Sequence, residues 1–466
     1  MASYAYITLG QMRAELLNRL QDAGAVYTTA PEANAYLIEG LRVLNAQTAA
    51  FPEDYQFDFN PGDTWKTLNV AGSPRQRTIT DSDLYDQMEA MLLEPMSGGV
   101  WTGTAQYNIA MLSGALQYRR DELLLLSNAN VVNLIQPSPA LSVRTFLPDS
   151  TLNLSRMRWI PFDSSATMPY ALGREDVVTR NAFGVNLPIR PGEPDSWMIT
   201  ANTSLSFDVS CPPNQGGQWD MLVSEAGVPF TPPTAALVGI PDDWAWVCMY
   251  GALADVLANS PEGRDSQRAK YCMARYEQGK KAMMRLPWLL EATVGYVSVD
   301  TLGFKEIDTQ MQNWEQNQPA DDPQIVVGGI DLIALAPFTA TGVSTVLTVV
   351  ENAPVPAADG DQIQLSRDGV DAVLAYAQHV ASFKMGGSNF ALTMPLYEQF
   401  EAYCRTKNSQ YAALGMSRVQ LLMEGNRQDF NDPEFEDSAK NSSQVSSHGR
   451  QQLRDALFGG RSGSRS

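Results

Sequence analysis

The spacing of apolar residues changes twice along this chain, and these two changes constrain the fold more than any other feature. Up to about residue 127, most apolar residues recur at the spacing of an α-helix, beginning with Leu9, Met12 and Leu16 after a suitable N-cap, Thr8. Residues 53–80 are the exception, because they look extended and rich in turns. From about residue 128, short alternating runs bounded by Pro, Gly, Asn and Asp indicate half-buried antiparallel strands. At Pro241 the helical spacing returns. The pattern predicts an α+β fold, in which a helical-bundle body carries antiparallel β-sandwich-like domains.

The same changes predict how the chain is divided into segments. We expect a mainly helical region (1–127), an antiparallel β domain (128–240), a helical hairpin (241–290), a linker (291–324), a second small β unit (325–366), a second helical hairpin (367–426) and a flexible tail, acidic and then basic (427–466).

A weak internal repeat accompanies this organisation. Residues of the first sheet-and-hairpin stretch match those of the second at a numbering difference of 125 or 126. The matches are Leu205 with Ile330, Phe207 with Leu332, Pro212 with Pro337, Leu222 with Leu347, Pro229 with Pro354, Tyr250 with Tyr376, and Tyr271 with Tyr397. We predict an internal duplication of a sheet–helix-hairpin unit, with the four tyrosines as candidate packing or assembly residues. The alternative is that any two segments of this kind share such prolines and tyrosines.

The charge balance argues against a general nucleic-acid binder. The chain has 33 Lys and Arg against 52 Asp and Glu, a formal net charge of −19, whereas phosphate contacts need clustered basic residues. The first ten residues lack the pattern of a signal peptide, and no apolar run is long enough for a membrane span. We therefore expect no membrane partner.

Residues capable of catalysis or metal binding are scarce in the sequence. The four cysteines are scattered, and His379 and His448 are the two histidines, so we expect neither a metal site nor any other cofactor. There is no Gly-x-Ser-x-Gly motif and no phosphate-binding glycine loop. The paired carboxylates Asp242 and Asp243 stand at a predicted helix start, where capping explains them. The sequence therefore predicts a protein that is not an enzyme.

The end of the chain reverses the sign of the charge. Residues 441–466 contain four arginines and one aspartate, a net charge of +3, which leaves −22 for residues 1–440. If residues 449–458 fold into a helix on contact, two basic and two apolar side chains share one side. We therefore predict a docking tail, with a solubilising tail as the alternative. Its candidate residues are Arg450, Leu453, Arg454, Leu457 and Phe458.

The helix pair that follows each sheet resembles the C-terminal helix pair of the head–tail adaptor (connector or neck) proteins of tailed bacteriophages. The first copy reads Ile240-Pro241-Asp242-Asp243-Trp244, then Tyr250 to Leu257 with its small residues, then Arg268-Ala269-Lys270-Tyr271-Cys272. The second copy extends from Asp368 to Asn408. The chain is far longer than a minimal adaptor, since it has a large sheet region and a second sheet–helix unit.

The resemblance implies a structural role in the virion. It implies a homo-oligomeric ring, commonly of twelve subunits, between the portal protein and the tail proteins, with double-stranded DNA passing through the lumen without sequence-specific binding. The protein would then be found in the virion neck, and in the host cytoplasm during assembly. The alternatives are a tail-tube or other tail structural protein, and a carbohydrate-binding or depolymerising tail protein, against which the helical stretches argue.

Overall fold

Helices and several antiparallel sheets alternate along the chain in a computed structural model. It describes residues 6–59, 64–93, 96–97, 100–101, 107, 109–162, 171–176, 190–201, 205–232, 235–259, 265–286, 288–295, 297–311, 314–315, 323–337, 342–386 and 390–413. Within these ranges, residues 6–284 and 288–405 form one compact unit, and residues 285–286 and 406–413 belong to a second one. The contacts described below lie in the first unit.

The helices are α1 (Leu9–Arg19), α2 (Ala30–Thr48), α3 (Asp81–Leu92), α4 (Ile109–Ser127), α5 (Ala245–Asn259), α6 (Ser266–Arg285), α7 (Phe304–Gln310), α8 (Arg367–Ala381) and α9 (Met394–Ala413). The strands are β1 (Ile7–Thr8), β2 (Pro52–Phe59), β3 (Trp65–Thr67), β4 (Met96–Ser97), β5 (Val100–Trp101), β6 (Val131–Ser138), β7 (Arg144–Phe146), β8 (Thr151–Pro161), β9 (Gly173–Arg174), β10 (Ser196–Ala201), β11 (Leu205–Val209), β12 (Gly217–Glu225), β13 (Leu289–Val294), β14 (Val297–Ser298), β15 (Thr301–Gly303), β16 (Gln324–Gly329), β17 (Leu332–Ala336), β18 (Val343–Val350) and β19 (Gln362–Ile363). The predicted α+β class is confirmed.

Three of the helices begin with the same local device. The side chains of Thr8, Thr29 and Thr80 accept hydrogen bonds from the backbone three residues later, and the side chain at that later position bonds back to the cap. These reciprocal bonds satisfy amide groups that the first turn of a helix leaves unpaired. The N-cap predicted at Thr8 is confirmed.

One β domain lies entirely between α4 and α5. Its two sheets have the strand orders β6–β12–β8 and β7–β11–β10–β9. Apolar side chains from both sheets pack into one cluster that includes Met157, Trp197, Phe207, Trp219 and Met221. The edge-to-face contact between Phe207 and Trp219, with ring centroids 5.5 Å apart, joins the two sheets.

The second β domain combines strands from distant parts of the chain. Its sheets have the orders β2–β18–β13–β14 and β3–β17–β16–β15. A shared apolar cluster that includes Phe57, Leu289, Ile333, Leu347 and Val349 fills the space between them. Strands of the region predicted to be mainly helical, 1–127, thus complete the small β unit that was predicted for residues 325–366.

The linker predicted for residues 291–324 is wrong. The segment contains the end of β13, the strands β14 and β15, and helix α7, and β13 and β15 pair with β18 and β16. These strands are two to six residues long. They are too short to show an alternating pattern, and β13 and β15 pair with strands that lie tens of residues further along the chain, so local sequence carries little signal for them.

The two β domains share one topology. Strands β6 to β12, taken in order, pair with one another in the same way as β2, β3, β13, β15, β16, β17 and β18. The equivalent pairs also agree in direction, because β9 with β10 and β15 with β16 are parallel and the other pairs are antiparallel. Even an irregularity is shared, since Ser155 in β8 and Leu290 in β13 are each skipped at the equivalent step of the ladder.

The helices around the two β domains correspond as well. Helices α2 and α4 each have 19 residues, and each precedes an eight-residue strand. Ala49 and Asn128, which follow these helices, have left-handed backbone angles of φ 50° and 52°. The chain therefore contains an inner module (residues 80–284), inserted between β3 and β13 of an outer module (residues 7–67 and 288–405).

These shared features give numbering differences between the modules. A difference of 72 relates α1 to α3, because Thr8 and Thr80 are both caps and Gln21 and Leu93 both have positive φ. A difference of 79 relates α2 and β2 to α4 and β6. A difference of 125 relates the start of the later helices, because Thr8 pairs with Gln362 where Thr80 pairs with Leu237.

Candidate assembly site

The four tyrosines singled out in the sequence meet where the two modules contact each other. Tyr250 and Tyr271 come from α5 and α6 of the inner module, and Tyr376 and Tyr397 come from α8 and α9 of the outer module. Ring centroids are 6.0 Å apart for Tyr250 and Tyr271, 6.4 Å for Tyr271 and Tyr397, and 6.3 Å for Tyr376 and Tyr397. The structure thus brings together residues from four helices, and they form a continuous aromatic cluster.

Arg275 lies at the centre of this cluster and is fully buried. Its guanidinium donates hydrogen bonds to the phenol oxygens of Tyr376, at 2.8 Å, and Tyr397. The guanidinium carbon is 4.5 Å from the ring centroid of Trp246, a cation–π distance. Because Arg275 belongs to the inner module and both tyrosines to the outer module, its hydrogen bonds hold the modules together.

Glu39 of α2 supplies the buried negative charge that balances this cation. One of its carboxylate oxygens accepts hydrogen bonds from Tyr250, at 3.0 Å, and Tyr376, at 2.6 Å, and the other accepts one from Gln87. Burial raises the pKa of Glu39, while the two tyrosine hydroxyls and the positive charge of Arg275 act to lower it. Sequence reasoning missed Glu39, although a carboxylate within an apolar helix face was the available signal.

His379 closes the cluster on the outer module. Its Nδ1 lies 2.8 Å from the hydroxyl of Thr393, and its Nε2 lies 3.1 Å from the hydroxyl of Tyr271. Burial, together with the nearby charge of Arg275, lowers the pKa of His379 to about 3. The imidazole is therefore neutral at physiological pH and takes up a proton there poorly, which suits a packed residue rather than a general base.

A second polar contact joins the modules at Asp243, and the neighbouring Asp242 binds the segment that connects β3 to the inner module. Asp242 accepts hydrogen bonds from the backbone N–H groups of Thr78, at 2.9 Å, and Ile79. Asp243 accepts from the side-chain amide of Asn45, at 2.6 Å, and from the backbone N–H of Ala353, at 3.0 Å. Burial raises the pKa of Asp243 to about 6. The helix-capping role expected for these two residues is wrong, because no side-chain cap bond forms there and their partners lie elsewhere.

Between α2 and α3 lies an acidic cleft of about 990 Å³. Its lining includes Glu32, Asp83, Asp86 and Glu89, with Arg42 as the basic residue among them. Burial raises the pKa of Asp86. In the part of the chain that the structure describes, no group of three or more His, Cys, Asp and Glu side chains is arranged to hold a metal ion.

The candidate docking residues Arg450, Leu453, Arg454, Leu457 and Phe458 lie outside the described residues, as does His448. Within the described ranges, no helix is both long and apolar enough to cross a membrane.

Comparison of the sequence with protein-family models and with curated proteins gives no match.

Proposed function

We propose that this protein is a structural component of a tailed-phage virion, in which copies of the chain form a ring at the head–tail connection. The ring links the portal protein to the tail proteins and forms part of the conduit for double-stranded DNA. Its role is mechanical rather than catalytic. The site of action is the virion neck, and assembly takes place in the host cytoplasm.

The observation that carries this proposal is that the two modules pack head to tail. Glu39 of the outer module contacts Tyr250 of the inner module, and their counterparts by the numbering differences are Tyr118 and Ala375. A two-fold relation between the modules would place Tyr118 against Ala375, yet Tyr118 is 64% exposed. Asp368, the counterpart of the interface residue Asp243, is exposed too. Different faces of the two modules therefore meet.

A head-to-tail contact favours a ring. An interface between two different faces leaves one copy of each face unused, so that further copies add in the same way until the ring closes or a filament grows. A two-fold contact would instead use up both faces in a pair. The chain thus already contains one example of the kind of interface that a ring repeats.

The charge of the chain is compatible with a DNA conduit. With a net charge of −19, the protein offers few basic clusters for phosphate contacts. A negatively charged lumen repels the DNA backbone, so that DNA slides through rather than binding to the wall.

We also infer that the inner module arose by duplication of the outer one and insertion between β3 and β13. The matching strand pairs, ladder irregularity and helix caps support this inference. If each module takes the place of one subunit, six chains suffice for the twelve positions that the resemblance to adaptors implies. A ring of twelve chains would instead carry two modules at each position.

Electron microscopy of the purified full-length protein, combined with its mass in solution, tests the proposal. We expect closed rings with a central channel wide enough for duplex DNA, and a mass equal to six or twelve copies of the 51.1-kDa chain. A protein that stays monomeric over the whole accessible concentration range would overturn the proposal, as would closed two-fold dimers.

A further inference from the structure

Helix α4 exposes an apolar stripe that the fold of one chain leaves open. Met111, Tyr118 and Leu125 are 38%, 64% and 41% exposed. They are seven residues apart, close to two full helical turns, and therefore lie on one face of the helix. Gly114 lies between Met111 and Tyr118. The helix surface is open at this residue, because no atom lies within 4 Å of the place that a Cβ atom of residue 114 would occupy.

The equivalent face of α2 in the outer module is covered. By the numbering difference of 79, the counterparts of Met111, Tyr118 and Leu125 are Glu32, Glu39 and Ala46. Glu39 and Ala46 are buried. The inner module covers Glu39 with Gln87 of α3 and Tyr250 of α5. One face of this helix type is thus an interface in the outer module. In the inner module it exposes three large apolar side chains, and the ion-paired, partly exposed Asp121 and Glu122 lie beside them.

We propose that the α4 stripe binds a second copy of this chain, through the surface that corresponds to the one covering α2. That surface is formed by α1 and the first turn of α8, because these are the counterparts of α3 and residues 242–244. This inference rests on the proposed ring and locates its chain-to-chain interface. The contact inside one chain and the contact between chains would then follow the same geometry around the ring.

The side chains on the two surfaces are chemically compatible. By the numbering difference of 72, the counterpart of Gln87 is Glu15, a partly exposed residue of α1. Within one chain, Gln87 donates to the carboxylate of Glu39. Between chains, donor and acceptor change places, because the phenol of Tyr118 on α4 donates to the carboxylate of Glu15 on α1. Ala14, which is exposed beside Glu15, leaves room for apolar side chains of the stripe.

Cross-linking tests the register directly. The double variant Tyr118→Cys, Glu15→Cys is treated with a short thiol-specific cross-linker in the full-length protein. We expect covalent dimers and higher multiples, because each chain offers one residue to each neighbour. Of the native cysteines, Cys248, Cys272 and Cys404 are buried and Cys211 is partly buried, so each single variant serves as the control for background. A second control pairs Tyr118→Cys with Val70→Cys, another exposed position.

Disruption of the stripe separates this inference from the proposed function. Tyr118→Glu and Leu125→Glu place a charge on the exposed face and should at least tenfold raise the protein concentration needed for ring formation. Val297→Glu, an equally exposed apolar position on β14, should leave that concentration unchanged. Circular dichroism checks that all three variants fold.

The outcomes are distinct. Rings that form equally well with Tyr118→Glu and Leu125→Glu, or cross-linking in the second control pair alone, overturn the proposed interface and leave the ring itself standing. Wild-type protein that stays monomeric overturns both. Assembly that depends on residues 414–466 but not on the stripe would show that a segment of this chain, rather than the α4 face, makes the chain-to-chain contact, and so overturns the inference.

Discussion

At the scale of single residues, the contact between the modules depends on a buried pair of opposite charges held apart by tyrosines. Arg275 donates to Tyr376, and Tyr376 in turn donates to Glu39. Neither charge reaches water, so each depends on the other and on the hydroxyl groups between them. Such a network is costly to break at one member, because the remaining charge stays buried without compensation.

Replacement of Arg275 by methionine tests this dependence. Arg275→Met keeps an apolar side chain of similar length but leaves the carboxylate of Glu39 without its buried cation. We expect a loss of about 3–5 kcal/mol in the free energy of unfolding, measured by urea denaturation. Arg405→Met is the matched control, because the side chain of Arg405 is 63% exposed and its ion pair with Glu401 is long, at 3.5 Å. That control should change stability by less than about 1 kcal/mol. Equal losses in the two variants would contradict the role of Arg275.

His379 makes the stability of the cluster depend on pH. Its pKa is about 3 in the folded chain and 6.5 in an ordinary environment, so the unfolded chain binds more protons between these values. Stability contributed by the neutral imidazole is therefore present above pH 6.5 and is lost as the pH falls towards 3. Between pH 7 and pH 4, the wild type should lose about 3 kcal/mol relative to His379→Gln, at about 1.36 kcal/mol per pH unit.

The comparison with His379→Gln isolates the histidine from other titrating groups. Asp243 acts in the opposite direction, because its pKa is raised from 3.8 to about 6 and its burial favours the protonated form at low pH. That contribution is common to the wild type and the variant and cancels in their difference. Urea denaturation at a series of pH values measures the difference, and parallel curves for the two proteins would exclude a buried neutral His379.

At the scale of elements, both modules contain the same contact between two helices. The small residue and the large residue of that contact lie on opposite helices in the two modules. In the outer module, Gly40 of α2 lies against Tyr376 of α8. In the inner module, Arg119 of α4 lies against Gly251 of α5. The numbering differences relate Gly40 to Arg119 and Gly251 to Tyr376, so each contact pairs one glycine with one large side chain. This register places Gly251, rather than Tyr250, at the position of Tyr376, one residue away from the match expected from the sequence.

Addition of a methyl group to Gly251 tests how closely α5 is packed. A Cβ atom there would lie 2.7 Å from Tyr276 and 2.9 Å from Arg119, closer than such atoms approach in folded proteins. We expect Gly251→Ala to cost about 1–3 kcal/mol, although alanine is the better helix former. Gly360→Ala is the control, because nothing lies within 4 Å of its Cβ position. Thermal unfolding of both variants measures the difference, and a stabilised Gly251→Ala would show that the helices separate easily.

The sequence predicts most elements of this fold but not the way in which they combine. Helical spacing is visible locally in α1 and α2, and the alternation of Tyr55, Phe57 and Phe59 is visible in β2. Strands such as β13 and β15 form because distant strands offer backbone partners, which no local pattern records. The residue matches made from the sequence lie only in the second half of each module, because the differences of 72 and 79 in the first half depart from 125 and relate chemically unlike residues, such as Glu39 and Tyr118. Those matches also miss the structural register by one residue in the strands, since Thr348, rather than Leu347, corresponds to Leu222.

The candidate site was predictable in part for the same reason. The four tyrosines were singled out by their matches at a difference of 126, and they do meet, although Gly251 rather than Tyr250 corresponds to Tyr376. The partners of Asp242 and Asp243, by contrast, lie more than 100 residues away in the sequence. A carboxylate at a helix start suits a cap whenever only neighbours are considered. Whether such a carboxylate caps its own helix or binds a distant segment depends on how one module is inserted into the other, which is a property of the tertiary fold.

At the scale of the whole molecule, the negative charge of the chain would oppose assembly of the proposed ring, and the C-terminal tail carries charge of the opposite sign. Residues 1–440 carry −22 and residues 441–466 carry +3. Copies of the acidic part repel one another, most strongly at low ionic strength, where the screening length is about 30 Å at 0.01 M salt and falls to about 8 Å at 0.15 M. A basic tail that docks on a neighbouring acidic chain would relieve part of this repulsion.

We therefore expect deletion of the tail to impair ring formation to an extent that depends on salt. A chain that ends at residue 440 should form rings less readily than the full-length chain at low salt, and the two should converge as salt approaches about 1 M, where screening extends over about 3 Å.

Replacement of Arg450, Arg454, Arg461 and Arg465 by glutamine in the full-length chain is the matched control, because it removes the charge and keeps the length. If the charge acts, this variant behaves like the deletion. If Leu453, Leu457 and Phe458 act as apolar anchors as well, the deletion retains a defect at high salt that the glutamine variant lacks. Sedimentation of the three proteins over a salt series measures the ring fraction, and identical profiles would exclude a docking tail.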